Sequence, residues 1–528
     1  MAWTRRHFLK SAVGLAASGM VGGVWDPRVL AQAAQGGQRP NILFILADDL
    51  GWGDPGCYPS LRPEDGPEAI VETPHIDRLA SSGVRFTNGY ANHMVCAPTR
   101  AGLLTGRYQH RFGYYGFGET MAPFPKVVML PEPLRAAGYA TGMMGKWHIS
   151  YSPGSRPLDR GFERFFGFLG GQHDYFDPDV GQPTHHVPNA RDAYIYDQNT
   201  RVKEMPYLTD ELTTRSMDFM DSAVNAKRSF FLYLSYNAPH SPLQVPWEDL
   251  EPLAKARGGN FTSRDIARAM IKRLDANVGR LIEHLRKKGL IENTLIIFSS
   301  DNGAAPHCYA GGFRGRKGYF YEGGIRVPMI ISWPGQIPAN QVLDEPVITH
   351  DIFPTALAAA GIEKMPEGVE GVNWLPYVTG KVAKLPRHRL FWGLEDIGKK
   401  WAVREGRWKL VREDANDWFG TWPVKEPPKK QWPRPDWRIQ LFDLEDDPRE
   451  QHDLSQEHPE IVARLKRAIE EFYAANAPSI YTAEVRARNH ALQAERAANP
   501  DKYPVAHPGA GSPGHWRGKT DSSAQVDD

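Results

Sequence analysis

One cysteine in this sequence lies in a setting that could support nucleophilic chemistry. Cys96 stands two residues before Pro98, and proline suits the first turn of a helix because its missing N–H costs nothing there. The free N–H groups of such a turn direct their dipoles towards an anion at position 96, and Arg100 adds a cation one turn along. A lone Cys-x-Pro is more often structural, since cysteine is among the residues most often buried. The role of this helix start therefore depends on what surrounds it.

Acidic side chains follow two predicted buried strands. Asp48 and Asp49 come after the continuous apolar run 41–46, and Asp301 and Asn302 come after a second such run. Open α/β sheets place their sites at the carboxyl ends of strands, so we expect these side chains at one edge of a sheet. In isolation, Asp-Asp and Asp-Asn-Gly are also good turn sequences.

Cationic and imidazole side chains have similar positions. Lys146 and His148 follow the predicted strand 139–144, His240 follows another apolar strand, and Lys317 lies in a Gly-rich segment. In an extended loop, residues two apart can face the same way, and an ammonium with an imidazole suits a doubly charged oxyanion group. Without further context, each of these side chains is by default solvated surface.

Taken together, these motifs resemble those of the type I sulfatases of the alkaline phosphatase superfamily. Cys96-x-Pro-Thr-Arg followed by Leu-Leu-Thr-Gly-Arg resembles the family signature, and Asp48-Asp-Leu-Gly-Trp-Gly-Asp resembles its first metal motif. Lys146-x-His148, and Lys-Gly followed by Glu-Gly-Gly-x-Arg-Val-Pro, occur in the same order as in the family. The resemblance covers about residues 40–475.

The resemblance implies hydrolysis of sulfate monoesters through a formylglycine. Cys96 would be oxidised by a formylglycine-generating enzyme, and its hydrated aldehyde would be the nucleophile. Lys146 would hold the nucleophile and a sulfonate oxygen, and His148 would handle a hydroxyl proton of the hydrate. His240 and Lys317 would protonate or stabilise the leaving alcohol. The implied catalytic residues are Cys96, Arg100, Lys146, His148, His240 and Lys317.

The same resemblance implies a divalent metal ion. Its ligands would be Asp48, Asp49, Asp301 and Asn302, with the modified Cys96 completing the set. The four acid and amide side chains offer oxygen ligands only, which suits Ca²⁺ or Mg²⁺ and does not suit zinc. Calcium is the expected ion for a protein that acts outside the cytoplasm, ahead of Mg²⁺ or Mn²⁺.

The implied fold class is α/β, an alkaline-phosphatase-like sandwich. We expect a catalytic domain over residues 40–385 with a large mixed sheet flanked by helices. Residues 386–476 are expected to form a smaller antiparallel sheet with a packed helix, because short alternating strands separated by turns replace the buried runs there. Residues 477–528 are polar and irregular, and we expect that tail to be partly disordered.

Local signals inside the catalytic domain predict further elements. The longest helical pattern covers 263–288, with apolar residues three or four apart and a glycine at its end. Residues 150–205 have little periodicity and are interpreted as a long insertion over the active-site face. Such loops usually set specificity, so His173 and Asp174 are weaker candidates for substrate contacts, whereas His185-His186 is expected at the surface.

Residues 1–33 are predicted to be a twin-arginine export signal. Thr4-Arg-Arg-His-Phe-Leu-Lys10 precedes a weakly apolar run, and Ala31-Gln-Ala33 resembles a cleavage site. The apolar run is too short and too Gly-rich to span a bilayer, so no transmembrane segment is expected in the mature chain. A bacterial protein that the twin-arginine machinery exports to the periplasm or beyond is therefore predicted.

Charge and cysteine content limit the function classes. The 528 residues include 63 Lys and Arg against 62 Asp and Glu, for a net charge of +1. No field of the whole protein argues for binding nucleic acid or an anionic membrane, so a preference for anionic substrates must be local. Three cysteines are too few for a disulfide scaffold, and we expect Cys57 and Cys308 to be free.

The expected substrates are sulfated glycans or aryl sulfates, and two alternatives stay open. A hydrolase of the same superfamily could act on phosphate diesters or phosphonate monoesters, because a formylglycine site with Ca²⁺ or Mn²⁺ serves them as well. A non-catalytic protein that binds sulfated glycans is the second alternative, which the 15 tryptophans support mildly. A two-zinc alkaline phosphatase is disfavoured because it needs additional histidine ligands.

Overall fold

The expected fold class is confirmed by a computed structural model of the chain. The structure describes residues 39–66, 69–179, 194–414, 437–488 and 491. Within them, a ten-stranded mixed sheet is flanked by helices, and a separate four-stranded antiparallel sheet follows it in the sequence. The predicted export signal and the His185-His186 pair lie outside the described residues, as does most of the predicted C-terminal tail.

The strands are numbered in chain order. They are β1 (Asn41–Ala47), β2 (Val84–Phe86), β3 (Gly89–Tyr90), β4 (Ala140–Lys146), β5 (Arg164–Phe168), β6 (Tyr196–Asp197), β7 (Thr200–Arg201), β8 (Phe230–Ser235), β9 (Thr294–Ser300), β10 (Met329–Ser332), β11 (Gln341–Leu343), β12 (Val347–Ile348), β13 (Arg389–Gly393), β14 (Trp401–Glu405), β15 (Trp408–Asp414) and β16 (Trp437–Asp443). The large sheet has the order β11-β2-β10-β9-β1-β8-β4-β5-β6-β7, and the small sheet has the order β13-β14-β15-β16.

The α-helices are numbered in the same way. They are α1 (Pro74–Ser81), α2 (Cys96–Thr105), α3 (Pro131–Ala136), α4 (Leu208–Asn225), α5 (Trp247–Ala256), α6 (Ser263–Lys287), α7 (Glu322–Ile325), α8 (Ile352–Ala359), α9 (Leu375–Val378) and α10 (Pro459–Ala474). The prediction of α6 is confirmed. Its N-cap, Thr262, forms a reciprocal capping box with Asp265, which satisfies two N–H groups that the helix leaves unpaired.

The centre of the large sheet is parallel. Strand β1 pairs in parallel with β8 on one side and with β9 on the other, and β8 pairs in parallel with β4. The carboxyl ends of these four strands therefore meet at one edge. Strand β1 is buried along its whole length, which explains its continuous apolar sequence, since both faces of the sheet are covered. This edge, reached by Ala47, Lys146, Ser235 and Ser300, is called the carboxyl edge below.

Two elements differ from the sequence-based expectation. Strand β4 continues through Lys146, two residues beyond the predicted end, so the lysine lies in the sheet and only His148 lies after it. The region 150–205 is not purely an insertion, because it contains β5, a strand of the main sheet parallel to β4. The run Arg164–Phe168 is short and carries a glycine, and the turn residues around it hid the strand signal.

The antiparallel C-terminal sheet was predicted correctly. It packs against the large domain through an apolar cluster that includes Tyr90, Phe320, Trp392 and Leu410, and α10 contributes Leu465 to the same cluster. No disulfide forms, since Cys57, Cys96 and Cys308 are all free thiols. In the described part of the chain, no helix is long and apolar enough to cross a lipid bilayer.

Gly145 should be indispensable for the strand that carries Lys146. Its φ is +110°, and a Cβ at this position would overlap the backbone carbonyl of Ser235 on the neighbouring strand. We expect Gly145→Ala to lower the free energy of unfolding by about 4 kcal/mol or more, measured by urea titration. Gly138→Ala is the matched control, because φ is +91° there but nothing lies within 4 Å of the added Cβ. A cost equal to that of the control would contradict the packing argument.

Candidate active site

Two pairs of acid and amide side chains meet at the carboxyl edge. Asp48 and Asp49 follow β1, Asp301 and Asn302 follow β9, and all four side chains are buried. The backbone of Asp49 is left-handed, with φ of 71°, and its N–H donates to Asp301 Oδ1 at 3.2 Å. Asn302 Nδ2 donates to Asp49 Oδ1 at 2.8 Å. The parallel pairing of β1 and β9 thus brings together the four side chains that the sequence suggested as metal ligands.

This cluster leaves oxygen atoms available to a cation. Asp48 Oδ1 and Asn302 Oδ1 are buried without any hydrogen-bond partner, which is costly for a polar atom unless an ion or water satisfies it. Burial, followed by the nearby Asp301 carboxylate, raises the pKa of Asp48 to about 8. A divalent cation would relieve this crowding of negative charge. A donor set made of oxygens is of the kind that Ca²⁺ and Mg²⁺ prefer.

Arg100 and Lys146 neutralise part of that charge. The Arg100 guanidinium is fully buried and donates from Nη2 to Asp301 Oδ2 at 2.7 Å and from Nη1 to the backbone carbonyl of Lys146 at 3.0 Å. The Lys146 ammonium donates to Asp48 Oδ2 at 2.6 Å. Ser235, at the end of β8, also donates to the Lys146 carbonyl, and sequence reasoning missed it because a serine at the end of a strand gives no signal.

Cys96 is the first residue of α2, the helix that also carries Arg100. Its N-cap, Val95, is extended, and the Sγ atom lies 3.3 Å from His148 Nδ1. Burial raises the pKa of the Cys96 thiol to about 11, although the charges of Lys146 and Lys317 oppose the shift. The unmodified side chain is therefore a protonated thiol at neutral pH, which is a poor nucleophile.

His148 is held neutral beside the cysteine. Burial lowers its pKa well below the usual range, and the charges of Lys146 and Arg100 add to the effect. Its ring stacks on Phe117 with 5.7 Å between centroids, and its backbone is left-handed with φ of 48°. A neutral imidazole in contact with position 96 has the properties required of a general base.

Lys317 and His240 form a second group beside Asp49. Lys317 Nζ lies 3.2 Å from His240 Nε2 and donates to Asp49 Oδ2 at 3.2 Å. His240 Nδ1 faces the carbonyl of Ser241 at 2.7 Å, which assigns the proton to Nδ1 and leaves Nε2 as an acceptor. Burial and the Lys317 charge lower the pKa of His240 well below its usual range, so it is neutral.

His240 also lies within reach of a metal ion, because its ligating atom and those of Asp48 and Asp49 lie within 4.8 Å of one another. The ammonium of Lys317 contacts the same nitrogen, and its positive charge disfavours a cation there. Asp174, a weaker candidate from the sequence, is engaged within the fold. Its carboxylate accepts from the N–H groups of Phe176 and Asp177 and from Gln244 Nε2.

Comparisons with known proteins identify the family of the chain. The family model described as Sulfatase matches residues 40–362, which is most of the chain. The chain belongs to the sulfatase family. A second model, described as N-sulphoglucosamine sulphohydrolase, C-terminal, matches residues 312–430. As a sulfatase, the protein hydrolyses sulfate esters, and the expected superfamily and fold are confirmed.

Individual sulfatases resemble the chain over much of its length. The N-acetylgalactosamine-6-sulfatase of Sus scrofa is 33% identical over 375 residues, covering 66% of this chain and 68% of the relative. Arylsulfatase A of Homo sapiens is 32% identical over 491 residues, covering 84% and 90%. The crystal structure of Ps i-CgsB with k-i-k-neocarrahexaose has 32% identity and a TM-score of 0.72, covering 89% of this chain and 100% of that one.

Removing the Arg100 charge should lower the stability of the fold, because a buried carboxylate then lacks its cation. With EDTA present, so that no divalent ion compensates, we expect Arg100→Met to lower the free energy of unfolding by about 3–5 kcal/mol, because Asp301 is left unpaired. Arg100→Lys should recover part of the loss, since a single ammonium can meet Asp301 but not the Lys146 carbonyl as well. Urea titration measures both variants. Wild-type stability in Arg100→Met would show that the ion pair does not matter.

Proposed function

We propose that this sulfatase removes sulfate from sulfated carbohydrates by means of a formylglycine at position 96. The observation that carries the proposal is the surroundings of Cys96. This residue begins a helix, contacts a neutral histidine at 3.3 Å, and faces buried cations and an oxygen cluster suited to a divalent ion. An electrophile shielded by anionic oxygens requires such clustered positive charge.

The nucleophile is the proposed product of oxidising Cys96. The buried thiol is protonated at neutral pH, and a thiol sulfated directly would not release sulfate easily. In the hydrated aldehyde, one hydroxyl passes its proton to a carboxylate of the acidic cluster and attacks sulfur. The S–O bond to the leaving alcohol breaks, and the alcohol oxygen takes a proton from Lys317. The second hydroxyl then passes its proton to His148, the carbonyl re-forms, and the bond between carbon and the sulfate oxygen breaks. A formylglycine-generating enzyme is therefore a required partner.

Calcium is the ion that we assign to the acidic cluster. Asp48, Asp49, Asp301 and Asn302 would hold it together with the modified residue 96, and the two unpartnered oxygens support this assignment. When bound, calcium supplies positive charge to the nucleophile and to a sulfonate oxygen. Lys146 and Arg100 hold the cluster in place. Lys146, whose ammonium lies beside Asp48, also orients the nucleophile.

We assign to Lys317 and His240 the role of assisting the departure of the alcohol. Because Nε2 of His240 is an acceptor 3.2 Å from the Lys317 ammonium, the two side chains share one proton path. The lysine can donate a proton to the leaving oxygen, and the histidine keeps the ammonium oriented. Such help matters most when the leaving group is a sugar hydroxyl, which is a poor leaving group without protonation.

Carbohydrate substrates are supported by the relatives. The similar enzyme from Sus scrofa is named for a sulfated amino sugar, and the Ps i-CgsB structure was determined with an oligosaccharide. We also propose that residues 1–33 direct the chain through the twin-arginine machinery to the periplasm or the exterior of a bacterium. The arginine pair and the cleavage-like Ala31-Gln-Ala33 support this location.

Sulfate release distinguishes the proposal from its alternatives. We expect protein co-produced with a formylglycine-generating enzyme to release inorganic sulfate from sulfated oligosaccharides, as measured by ion chromatography. Cys96→Ala should lose at least about 10³-fold in turnover, because the covalent route is gone. Faster turnover of phosphate diesters or phosphonate monoesters by the same preparation would favour the rival hydrolase. Glycan binding without any turnover would favour the binding protein.

Metal binding can be measured without turnover. We expect Ca²⁺ at a hundredfold excess over its Kd to raise the free energy of unfolding of EDTA-treated protein by about 2.7 kcal/mol. Asn302→Leu has a similar volume but lacks the unpartnered oxygen, so calcium should stabilise it much less. Mg²⁺ at the same concentration should stabilise the wild type less than Ca²⁺ does. Equal stabilisation of wild type and Asn302→Leu would argue against this ligand set.

A further inference from the structure

The segment that carries Lys317, residues 317–322, is hydrogen-bonded to the C-terminal sheet and its loops. Four hydrogen bonds join residues 318–322 to side chains of that sheet, of the connection between β13 and β14, or of the loop that follows the sheet. Lys400 Nζ donates to the Gly318 carbonyl at 3.0 Å, the Phe320 N–H donates to Glu413 Oε2 at 2.9 Å, the Tyr321 hydroxyl donates to Gln440 Oε1 at 2.7 Å, and the Glu322 N–H donates to Glu450 Oε2 at 2.6 Å.

Three of the four partner side chains, Lys400, Glu413 and Glu450, are charged and are mostly or fully withdrawn from water. Lys400 and Glu413 pair at 2.9 Å, and the Glu413 side chain is fully buried. Lys409, also fully buried, pairs with Glu322 and with Glu450, both at 2.8 Å. Apolar residues of similar volume would often stabilise such an interface as well or better, since each buried charge loses its hydration. Stability alone therefore does not explain these polar contacts.

On its other side, the segment is anchored to the active-site domain. The Lys317 N–H donates to the Ala304 carbonyl at 2.9 Å, and the Gly318 N–H donates to the Met94 carbonyl at 3.0 Å, two residues before Cys96. Residues 317 and 318 thus lie between the nucleophile helix and the C-terminal sheet. Loss of the hydrogen bonds on one side of the segment would let the Lys317 ammonium move relative to His240. A misplacement of about 1 Å can cost about 10²-fold in rate.

We propose that Glu413, with its partner Lys400, is a positioning residue that holds Lys317 in register with the leaving group. The proposal rests on the leaving-group role assigned to Lys317 above. Glu413 and Lys400 act through the backbone of Phe320 and of Gly318, respectively, which fixes where the Lys317 side chain starts.

The test compares substrates whose leaving groups differ in their need for protonation. Phenyl sulfate needs help from an acid, whereas 4-nitrophenyl sulfate has a stable leaving anion. We expect Glu413→Ala to lower kcat/KM for phenyl sulfate by about 10²-fold and for 4-nitrophenyl sulfate only a few-fold. Glu413→Gln should recover most of the loss, because its amide oxygen can still accept from the Phe320 N–H.

Two further variants make the result decisive. Glu405→Ala is the matched control on the adjacent strand β14, because Glu405 pairs with Arg389 and Arg464 and not with the Lys317 segment. It should leave the ratio of the two substrates unchanged. Lys317→Ala should show the same dependence on the leaving group as Glu413→Ala, but more strongly. The ratio is measured on one preparation, so a partly unfolded variant does not distort it.

The outcomes distinguish a failure of the positioning role of Glu413 from a failure of the leaving-group role of Lys317. Equal losses for both substrates in Glu413→Ala, or no loss at all, would refute the positioning role. If Lys317→Ala depended on the leaving group while Glu413→Ala did not, the positioning role alone would fail. If Lys317→Ala itself showed no dependence, the leaving-group role of Lys317 would fail first, and the positioning proposal would fall with it.

Discussion

The geometry of the carboxyl edge depends on ion pairs that are buried away from water. Asp48 and Asp301 are carboxylates from two neighbouring parallel strands, and neither reaches solvent. Arg100 reaches Asp301 from the nucleophile helix, and Lys146 reaches Asp48 from β4 at 2.6 Å. Because unpaired buried charges are costly, this pairing ties the helix and three strands into one fixed geometry. The buried oxygens that these pairs leave without a hydrogen-bond partner, Asp48 Oδ1 and Asn302 Oδ1, are the atoms to which we assign the proposed cation.

The protonation state of His148 and of His240 follows from burial and from the same charges. His148 and His240 are neutral because burial and nearby lysines disfavour a further positive charge. They contact different groups, since His148 lies beside Cys96 and His240 lies beside Lys317. In the proposed mechanism, His148 therefore serves the nucleophile and His240 serves the leaving group. The C-terminal sheet also constrains Lys317, because its buried ion pairs hold the segment from which Lys317 projects.

Much of the edge could be predicted from the sequence because strand ends are local signals. A buried apolar run followed by polar residues predicts where Asp48 and Asp301 emerge, and the parallel pairing of β1 and β9 brings them together. Strand β5 was missed because five residues with an internal glycine carry too little periodicity. The contacts of Ser235 and Glu413 could not be predicted, because they join residues about 90 positions apart through the three-dimensional packing.

Peptide mass spectrometry across position 96 tests the central claim most directly. The protein would be isolated from its native host, or from a host that co-produces a formylglycine-generating enzyme. We expect the thiol of Cys96 to be replaced by an aldehyde that hydrazine traps. An intact cysteine at full occupancy in native protein that still hydrolyses sulfate esters would contradict the mechanism, because the buried thiol beside His148 would then have to be the nucleophile itself.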